Sequence, residues 1–472
     1  TVDAHGVPHT RWMAGTPMGE GLGRLMSVTT RGSRKLGHLA ANPHVCWLFS
    51  DAHDDEVVTL TGSVAILEDP TLAEILKPEG YRSGQFGKNH LGDRDEMLPT
   101  NNGFDEFLGN LYHLNAEEEP ENPDYPQNQE FKDNFGPRGV IKSSADGSIE
   151  DTGPLTRKRM ETVDEEVTAA ALDFMQRAHD QDKPFFLWWN STRMHIFTHL
   201  KPESQGVTGY GIYADGMVEH DGMVGEILDK IDSLGIAENT IVMYSTDNGA
   251  ETFTWPDGGT TMFKGEKNTQ WEGGFRVPTV IRWPGTIKPG SIDNHMAAHE
   301  DLLPTLLSAA GEPDITQQLL DGGVQAIGRE YNVHLDGYDL TAALKGEADW
   351  PRRDFIYWTD DGSVAALRYD DWKVTFLKQP EEGFKVWTTP FEVLRAPSIT
   401  NLRMDPFERA EEENAMGYQR WWVEHMFIIA PASAYVGEWL QSFKDFPPRQ
   451  APGSFNLDKV MESVTQGSPG NQ

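Results

Sequence analysis

Lys88 and His90 lie two residues apart in the glycine-framed run Gly87-Lys88-Asn89-His90-Leu91-Gly92, a local device suited to gripping an oxyanion. Asp247-Asn248-Gly249 offers hard oxygen ligands for Ca²⁺ or Mg²⁺, although the same tripeptide also makes an ordinary turn. His195 and His199 are four apart in Thr192-Arg193-Met194-His195-Ile196-Phe197-Thr198-His199. On a helix that spacing suits zinc; in a loop at a strand end, one imidazole can protonate a leaving group. Lys267 precedes the pair Gly273-Gly274 and suits an anion clamp. Taken singly, each has a plain reading as a solvated lysine, a structural histidine or a turn.

The surrounding pattern supplies elements to carry these groups. Residues 184–190 (Pro-Phe-Phe-Leu-Trp-Trp-Asn), 240–245 and 279–283 read as buried strands. Residues 158–179 place Met160, Val163, Val167, Ala171, Phe174 and Met175 along one side of a helix. A helix starts at Pro70, and another spans 216–234 with Gly235 at its stop. Strand–helix–strand alternation predicts a mainly parallel sheet covered on both sides. His195 and Asp247-Asn248 then follow strands at their carboxyl ends, where ligands gather in open α/β sheets. Residues 115–151 read as a long acidic loop covering a site. Beyond 348 the pattern becomes a three-strand meander over 355–359, 364–369 and 372–377.

Composition narrows the function classes. The 472 residues carry 14 tryptophans and a formal net charge of −34. Such acidity repels phosphates and argues against nucleic-acid binding. No run is long and apolar enough to span a membrane. The single cysteine, Cys46, excludes an intramolecular disulfide and a cysteine metal cluster. The chain opens at Thr1 with no visible signal peptide, which suggests a fragment and leaves periplasm and cytoplasm both open.

The order of these motifs, Gly-Lys-x-His, a histidine after a buried strand, Asp-Asn-Gly, then Lys-x-Thr-x-x-Glu-Gly-Gly-x-Arg-x-Pro, resembles that of the sulfatases. The resemblance covers residues 70 to about 455 and includes Phe104-Asp105-Glu106-Phe107 and Asn401-Leu402-Arg403. It implies an alkaline-phosphatase-like α/β fold with a small C-terminal antiparallel sheet, and a sulfate ester or sulfate as small-molecule partner. It further implies that Asp247 and Asn248 are Ca²⁺ (or Mg²⁺) ligands and that Lys88 and Lys267 hold sulfate oxygens. His90 would support the nucleophile, and His195, in preference to His199, would be the leaving-group acid. Metal and ammonium charge would offset that of the transferring sulfuryl group.

The family's nucleophile, formylglycine made from a Cys-x-Pro/Ala-x-Arg motif, has no counterpart here, nor does the Asp-Asp pair of its first strand. Cys46-Trp47-Leu48-Phe49-Ser50 lacks both the Pro/Ala and the Arg, and Asp51–Asp55 reads as a turn. The opening stretch instead resembles the first half of an FMN-binding split barrel of the pyridoxamine 5′-phosphate oxidase type. That likeness rests on Thr1–Met13, Thr29–Lys35, Asn42–Val45 and Leu60-Thr61-Gly62. It implies that Arg11, Thr29, Ser33 and Lys35 lie near an FMN phosphate, a serine and lysine at a helix start making a sensible seat. The strands expected there span 24–30, 44–50 and 56–67, with a helix over 33–41.

The expected organisation is therefore a chimera. A partial barrel over 1–68 meets, at Glu68-Asp69-Pro70-Thr71, an α/β domain over 69–348 lacking its N-terminal strand. A C-terminal antiparallel subdomain over 349–455 and a loose tail over 456–472 follow. The expected activity is impaired sulfate-ester hydrolysis. The alternatives are an FMN-binding module with a degenerate sulfatase part, and a non-catalytic binder of sulfated ligands.

Overall fold

The computed structural model describes residues 69–447 except 256–257 and 412–415; before residue 69 it describes Leu39 and four short strand segments. Those segments form two antiparallel pairs, Thr16–Pro17 with Leu25–Met26 and His44–Ser50 with Val57–Ser63. Arg11, Thr29, Ser33 and Lys35 lie outside the described residues.

The central sheet is mixed rather than mainly parallel. Strand β1 (Arg82–Gly87) sits between β2 (Glu106–Gly109) and β5 (Phe185–Asn190), parallel to both. Strands β3 (Ile141–Ser144) and β4 (Ile149–Asp151) extend it antiparallel beyond β2. Residues 115–151 are thus no featureless loop: they contain short helices and then the hairpin that widens the sheet. Their many Pro and Asn residues mark the ends of these short elements, such as the Asn128 cap on Gln129–Phe135.

Helices cover both faces. Helix α1 (Leu72–Leu76) begins with a capping box, Thr71 Oγ1 accepting from the Glu74 amide and the Glu74 carboxylate accepting from the Thr71 amide. Its Ile75 and Leu76 pack with Leu307 of α5 (Leu302–Ala309) and with Phe186. On the opposite face, α3 (Val163–Asp180) presses Val167, Ala171 and Phe174 onto Phe86, Phe185, Leu187 and Trp189. All six residues assigned from sequence to the apolar side of this helix and its approach are buried. Alternate residues of β5 therefore serve opposite layers, as period-two side chains must.

Strands β6 (Val242–Ser245) and β7 (Thr279–Arg282) pair with each other antiparallel, apart from the central sheet. Among the described residues β5 is hydrogen-bonded along one edge alone, and its Trp188 is 46% exposed. The connection to β6 runs through α4 (Ile212–Ser233). Its His220 bridges the two strands, contacting Ser191 Oγ at 2.9 Å and Tyr244 Oη at 3.1 Å.

The predicted meander is present and gains a strand: β8 (Asp354–Trp358), β9 (Val364–Tyr369), β10 (Trp372–Lys378) and β11 (Glu392–Asn401) form an antiparallel sheet. Helix α6 (Ile429–Trp439) packs Ala432 and Val436 on its apolar face. No helix among the described residues is long and apolar enough to cross a membrane.

Candidate active site

Lys88 and His90 leave the carboxyl end of β1, where the chain must pass very close to its neighbours. A Cβ on Gly87 would stand 1.8 Å from the Asn190 carbonyl oxygen, and its φ of +111° suits glycine alone. The turn is pinned on both sides, by the Lys88 amide donating to Asn190 O at 2.9 Å and the Asn89 amide to Asn110 O at 2.8 Å. This sets Lys88 within electrostatic range of Asp247, Glu251 and Lys267, which together border a candidate hollow. Burial lowers the Lys88 pKa, Asp247 opposes that shift and the Lys267 charge adds to it.

His195 occupies the turn after β5, held by a buried ion-pair network. Asp164, fully buried on α3, accepts from the amides of Thr192 and Arg193 and from the Arg193 guanidinium, which also pairs with Glu219. The His195 Nδ1 contacts the Ile196 carbonyl oxygen at 2.8 Å. That contact requires a proton on Nδ1, so Nε2 presents a lone pair. Burial first, and then Lys88, bring the pKa down to about 4. The ring is therefore neutral near pH 7, and an acid role requires an anion to draw a proton onto it.

His199, weighed beside His195 from sequence, serves elsewhere: its Nε2 contacts Glu118 Oε2 at 2.6 Å, and Glu118 in turn pairs with Arg157. The two histidines lie in turns rather than on a helix, so the zinc spacing is not realised.

A third imidazole joins the hollow. His113 precedes α2 (Leu114–Glu118) and caps it, Nδ1 accepting from the Ala116 amide at 3.2 Å. Its Nε2 therefore carries the proton, complementary to His195. Its ring lies 5.5 Å from that of His90 and 6.2 Å from that of His195. Burial and the Lys88 charge lower the His113 pKa; desolvation and Lys88 bring His90 to about 4. Sequence reasoning missed His113 although it follows β2 closely, the same strand-end signal that singled out His195.

Asp247-Asn248 and Lys267 are fastened to one another. A Cβ on Gly249 would stand 1.7 Å from the Gly273 carbonyl oxygen, so only glycine permits this approach. The Gly249 amide donates to Gly274 O at 2.9 Å and the Lys267 amide to Ala250 O at 3.2 Å. Buried Glu266 accepts from the amides of Thr252 and Gly383, tying both flanking loops to the Lys267 turn. The Lys267 ammonium stands 4.0 Å from Glu251 Oε1. Burial raises the Glu251 carboxyl, against the pull of Lys267 and Lys88.

A cation at this site needs more donors than the two residues provide. Ca²⁺ takes six to eight oxygens and Mg²⁺ six, whereas among the described residues no group of three or more His, Cys, Asp or Glu could hold a metal. The Asn248 Nδ2 donates to Gly249 O at 2.8 Å, so the amide's oxygen is the atom left to accept or ligate. The site thus gathers two lysines and three imidazoles whose pKa values are lowered, with Asp247 in electrostatic range of Lys88 and His90.

The Sulfatase family model matches residues 48–312, so it runs across the seam expected at 68–71 and takes in part of the segment expected to be a split barrel, a reading that the match does not support. Human arylsulfatase A is 32% identical over 327 residues, covering 66% of this chain and 59% of that protein. Mouse N-acetylgalactosamine-6-sulfatase is 32% identical over 255 residues, covering 53% of this chain and 47% of that one. The chain thus spans about half to three fifths of the length of these relatives. The crystal structure of PsFucS1 sulfatase from Pseudoalteromonas sp. superposes with a TM-score of 0.68 at 26% identity, covering 82% of this chain and 75% of that one. With more than half its length matched by the family model, the chain belongs to the sulfatase family.

Proposed function

We propose that this chain binds a sulfate ester in the hollow and hydrolyses it at a rate far below that of a complete sulfatase. One arrangement carries the reading: Lys88, His90, His113, His195 and Lys267 come from four separate segments, the His113 ring lies 5.5 Å from that of His90 and 6.2 Å from that of His195, and both lysines lie within electrostatic range of all three rings. Two ammonium groups neutralise an incoming sulfate, and His113 Nε2–H is a neutral donor for one of its oxygens. A water molecule attacks the sulfur as the S–O bond to the alcohol breaks, and His195 Nε2, made basic by the bound anion, takes a proton from that water and passes it to the departing alkoxide oxygen, leaving the alcohol and hydrogen sulfate.

The covalent nucleophile is the missing part. Cys46, the sole cysteine, lies in the strand His44–Ser50 opposite Thr61 and lacks the motif that formylglycine formation requires. Losing the nucleophile of a covalent mechanism typically costs several orders of magnitude in rate. We further propose that Asp247 and Asn248 are the surviving donors of a partial Ca²⁺ or Mg²⁺ site.

Titration calorimetry with inorganic sulfate, alongside turnover of an aryl sulfate in the presence of Ca²⁺, tests this. Sulfate binding that is weakened at least about tenfold in K88A and K267A, with turnover near background, is expected. Robust turnover would overturn the impairment, and sulfate affinity indifferent to both lysines would overturn the site.

A further inference from the structure

His195 and Asp247 stand at the exits of strands that belong to separate sheets. Strand β5 lies in the central sheet, while among the described residues β6 pairs with β7 alone. Among these residues no ladder fixes one half of the proposed site against the other. What spans the gap is a short polar chain through His220, which is 7% exposed on α4.

The direction of each hydrogen bond in this chain is set by its ends. The Ser191 hydroxyl donates to the Arg193 carbonyl oxygen at 3.1 Å, so its own oxygen is left to accept. His220 Nδ1 lies 2.9 Å from that oxygen and therefore carries the proton. Nε2 then presents a lone pair, and Tyr244 Oη donates to it at 3.1 Å. A neutral imidazole completes the whole series, from Tyr244 through His220 and Ser191 to the Arg193 carbonyl. A proton on Nε2 would take away the acceptor of the phenol.

The ring is also held flat. It stacks on Trp189 of β5, with centroids 5.4 Å apart and planes 19° apart, and Trp189 Nε1 donates to Thr168 Oγ1 of α3 at 3.1 Å. The charged groups that act on His220 are Asp164 of α3, Arg193 of the turn and Asp221 of its own helix. Asp164 and Arg193 form an ion pair with each other. The turn that carries His195 is thus gripped twice. Asp164 accepts from the amides of Thr192 and Arg193, and Ser191 holds the carbonyl of Arg193. At the other end of the chain, Tyr244 lies three residues before Asp247, whose loop is fastened to the Lys267 turn.

We infer that His220 is a positioning residue: through Ser191 and Tyr244 it sets where the His195 imidazole stands relative to Asp247 and the Lys267 turn. This rests on the proposed sulfate seat and on the part His195 plays there. Packing alone would be served by any flat ring on Trp189, whereas this role needs both ring nitrogens.

The test follows the His195 ring by NMR in the full chain labelled with carbon-13 at histidine Cε1, its signal assigned by comparison with H195Q. In the wild type His195 titrates at about 4. H220F keeps a ring on Trp189 and loses both hydrogen bonds, so it is expected to bring that value to about 5 or above, toward the ordinary value of roughly 6.5. Y244F, altered on a strand in the other sheet, is expected to move it in the same direction. The double variant H220F/Y244F is expected to match H220F rather than add to it, since one chain is broken either way. Lys88, Lys267 and His113, which also act on His195, are unaltered in all three. A His195 titration unchanged in H220F and Y244F, or effects that add in the double variant, would overturn the positioning role. Circular dichroism reports the fold of each variant, and Y244F keeps the comparison readable if H220F unfolds. Failure of the sulfate seat has a different signature: inorganic sulfate would not bind the wild type in calorimetry while Y244F still moves His195, and the functional reading of His220 would fall with the seat.

Discussion

The His113 ring lies parallel to that of His195, with centroids 6.2 Å apart and planes 10° apart. Their hydrogen bonds fix opposite tautomers, His113 accepting at Nδ1 from a helix amide and His195 donating at Nδ1 to a carbonyl. One ring therefore offers a proton to the hollow and the other a lone pair. Neutral imidazoles can stand together beside two lysines without adding charge, and so without repelling one another.

This arrangement predicts a stability that depends on pH with a definite sign. His195 titrates at about 4 in the folded chain against roughly 6.5 when unfolded. Its contribution is complete above pH 6.5 and is lost as the pH falls through 6.5 toward 4, because the unfolded chain binds the proton first. Urea unfolding at pH 7.5 and pH 4.5 is expected to show the wild type losing on the order of 2 kcal/mol more than H195Q over that interval. Equal losses would mean the ring is not held neutral. Inorganic sulfate is expected to stabilise the wild type more at pH 5 than at pH 8, since the bound anion favours the imidazolium.

A second prediction concerns the support of His195. Asp164 and Arg193 are both buried, at 0% and 1% side-chain exposure, and their hydrogen bonds define the turn after β5. Removing one member of a buried pair strands the other charge, at a typical cost of roughly 3–5 kcal/mol. D164A is expected to show that loss in thermal or urea unfolding and also to weaken sulfate binding, through displacement of His195. D164N, which keeps the shape and one acceptor oxygen, is expected to retain part of both. A loss below about 1 kcal/mol in D164A would show that the network does not hold the turn.

These two predictions draw on different depths of the sequence. Lys88, His90, His195, Asp247 and Lys267 stand out in the sequence as candidates because each sits beside a strand end or a glycine turn, and short-range spacing is what a sequence displays. Gly87 and Gly249 are needed because a backbone carbonyl from a distant segment abuts them, which explains the glycines only after folding. His113 was missed because its signal, a histidine a few residues beyond a short strand, is common. The mixed sheet was misread as mainly parallel because residues 141–151 are polar and their pairing partner lies more than thirty residues earlier. The link from Tyr244 through His220 to Ser191 could not be read at all, since it depends on how α4 packs across the ends of two strands.

Glu117 offers a prediction of opposite sign. It is 3% exposed on α2, and neither carboxylate oxygen has a hydrogen-bond partner among the described residues. Burial pushes its carboxyl up to about 8, against an unfolded value of roughly 4.3. A raised acid contributes stability that is present below pH 4 and is lost as the pH rises through 8, where the buried carboxylate must ionise. E117Q removes that ionisation and is expected to stabilise the chain by about 2 kcal/mol at pH 8.5 while changing little at pH 4. Unfolding midpoints of the two proteins that stay parallel across this range would show that Glu117 is solvated or paired.

Lys373 joins the C-terminal sheet to the Lys267 turn and carries the last prediction. It sits on β10 with 0% side-chain exposure, donating to Gln270 O at 2.7 Å and pairing with Glu272 at 3.2 Å and Glu408 at 2.8 Å. Glu272 also accepts from Tyr357 Oη at 2.5 Å and pairs with Arg368 and Arg276, so two buried carboxylates share one ammonium and two guanidinium groups between the Lys267 turn and the C-terminal sheet. Burial disfavours the charge on Glu408, and Lys373 is the main group opposing that. Removing the lysine leaves two acids facing each other in a buried setting, a cost of roughly 3–5 kcal/mol. Because Gln270 lies three residues from Lys267, the same change loosens the proposed anion seat. K373A is therefore expected to lose stability most at neutral pH and to regain part of it near pH 4, where a protonated carboxyl removes the repulsion. K373M, which fills the space without the charge, should behave like K373A at neutral pH if electrostatics dominate. If K373M instead matches the wild type, packing rather than charge holds the two parts together. Sulfate affinity measured at neutral pH should fall in both variants if the boundary positions Lys267, and an unchanged affinity would separate the seat from its support.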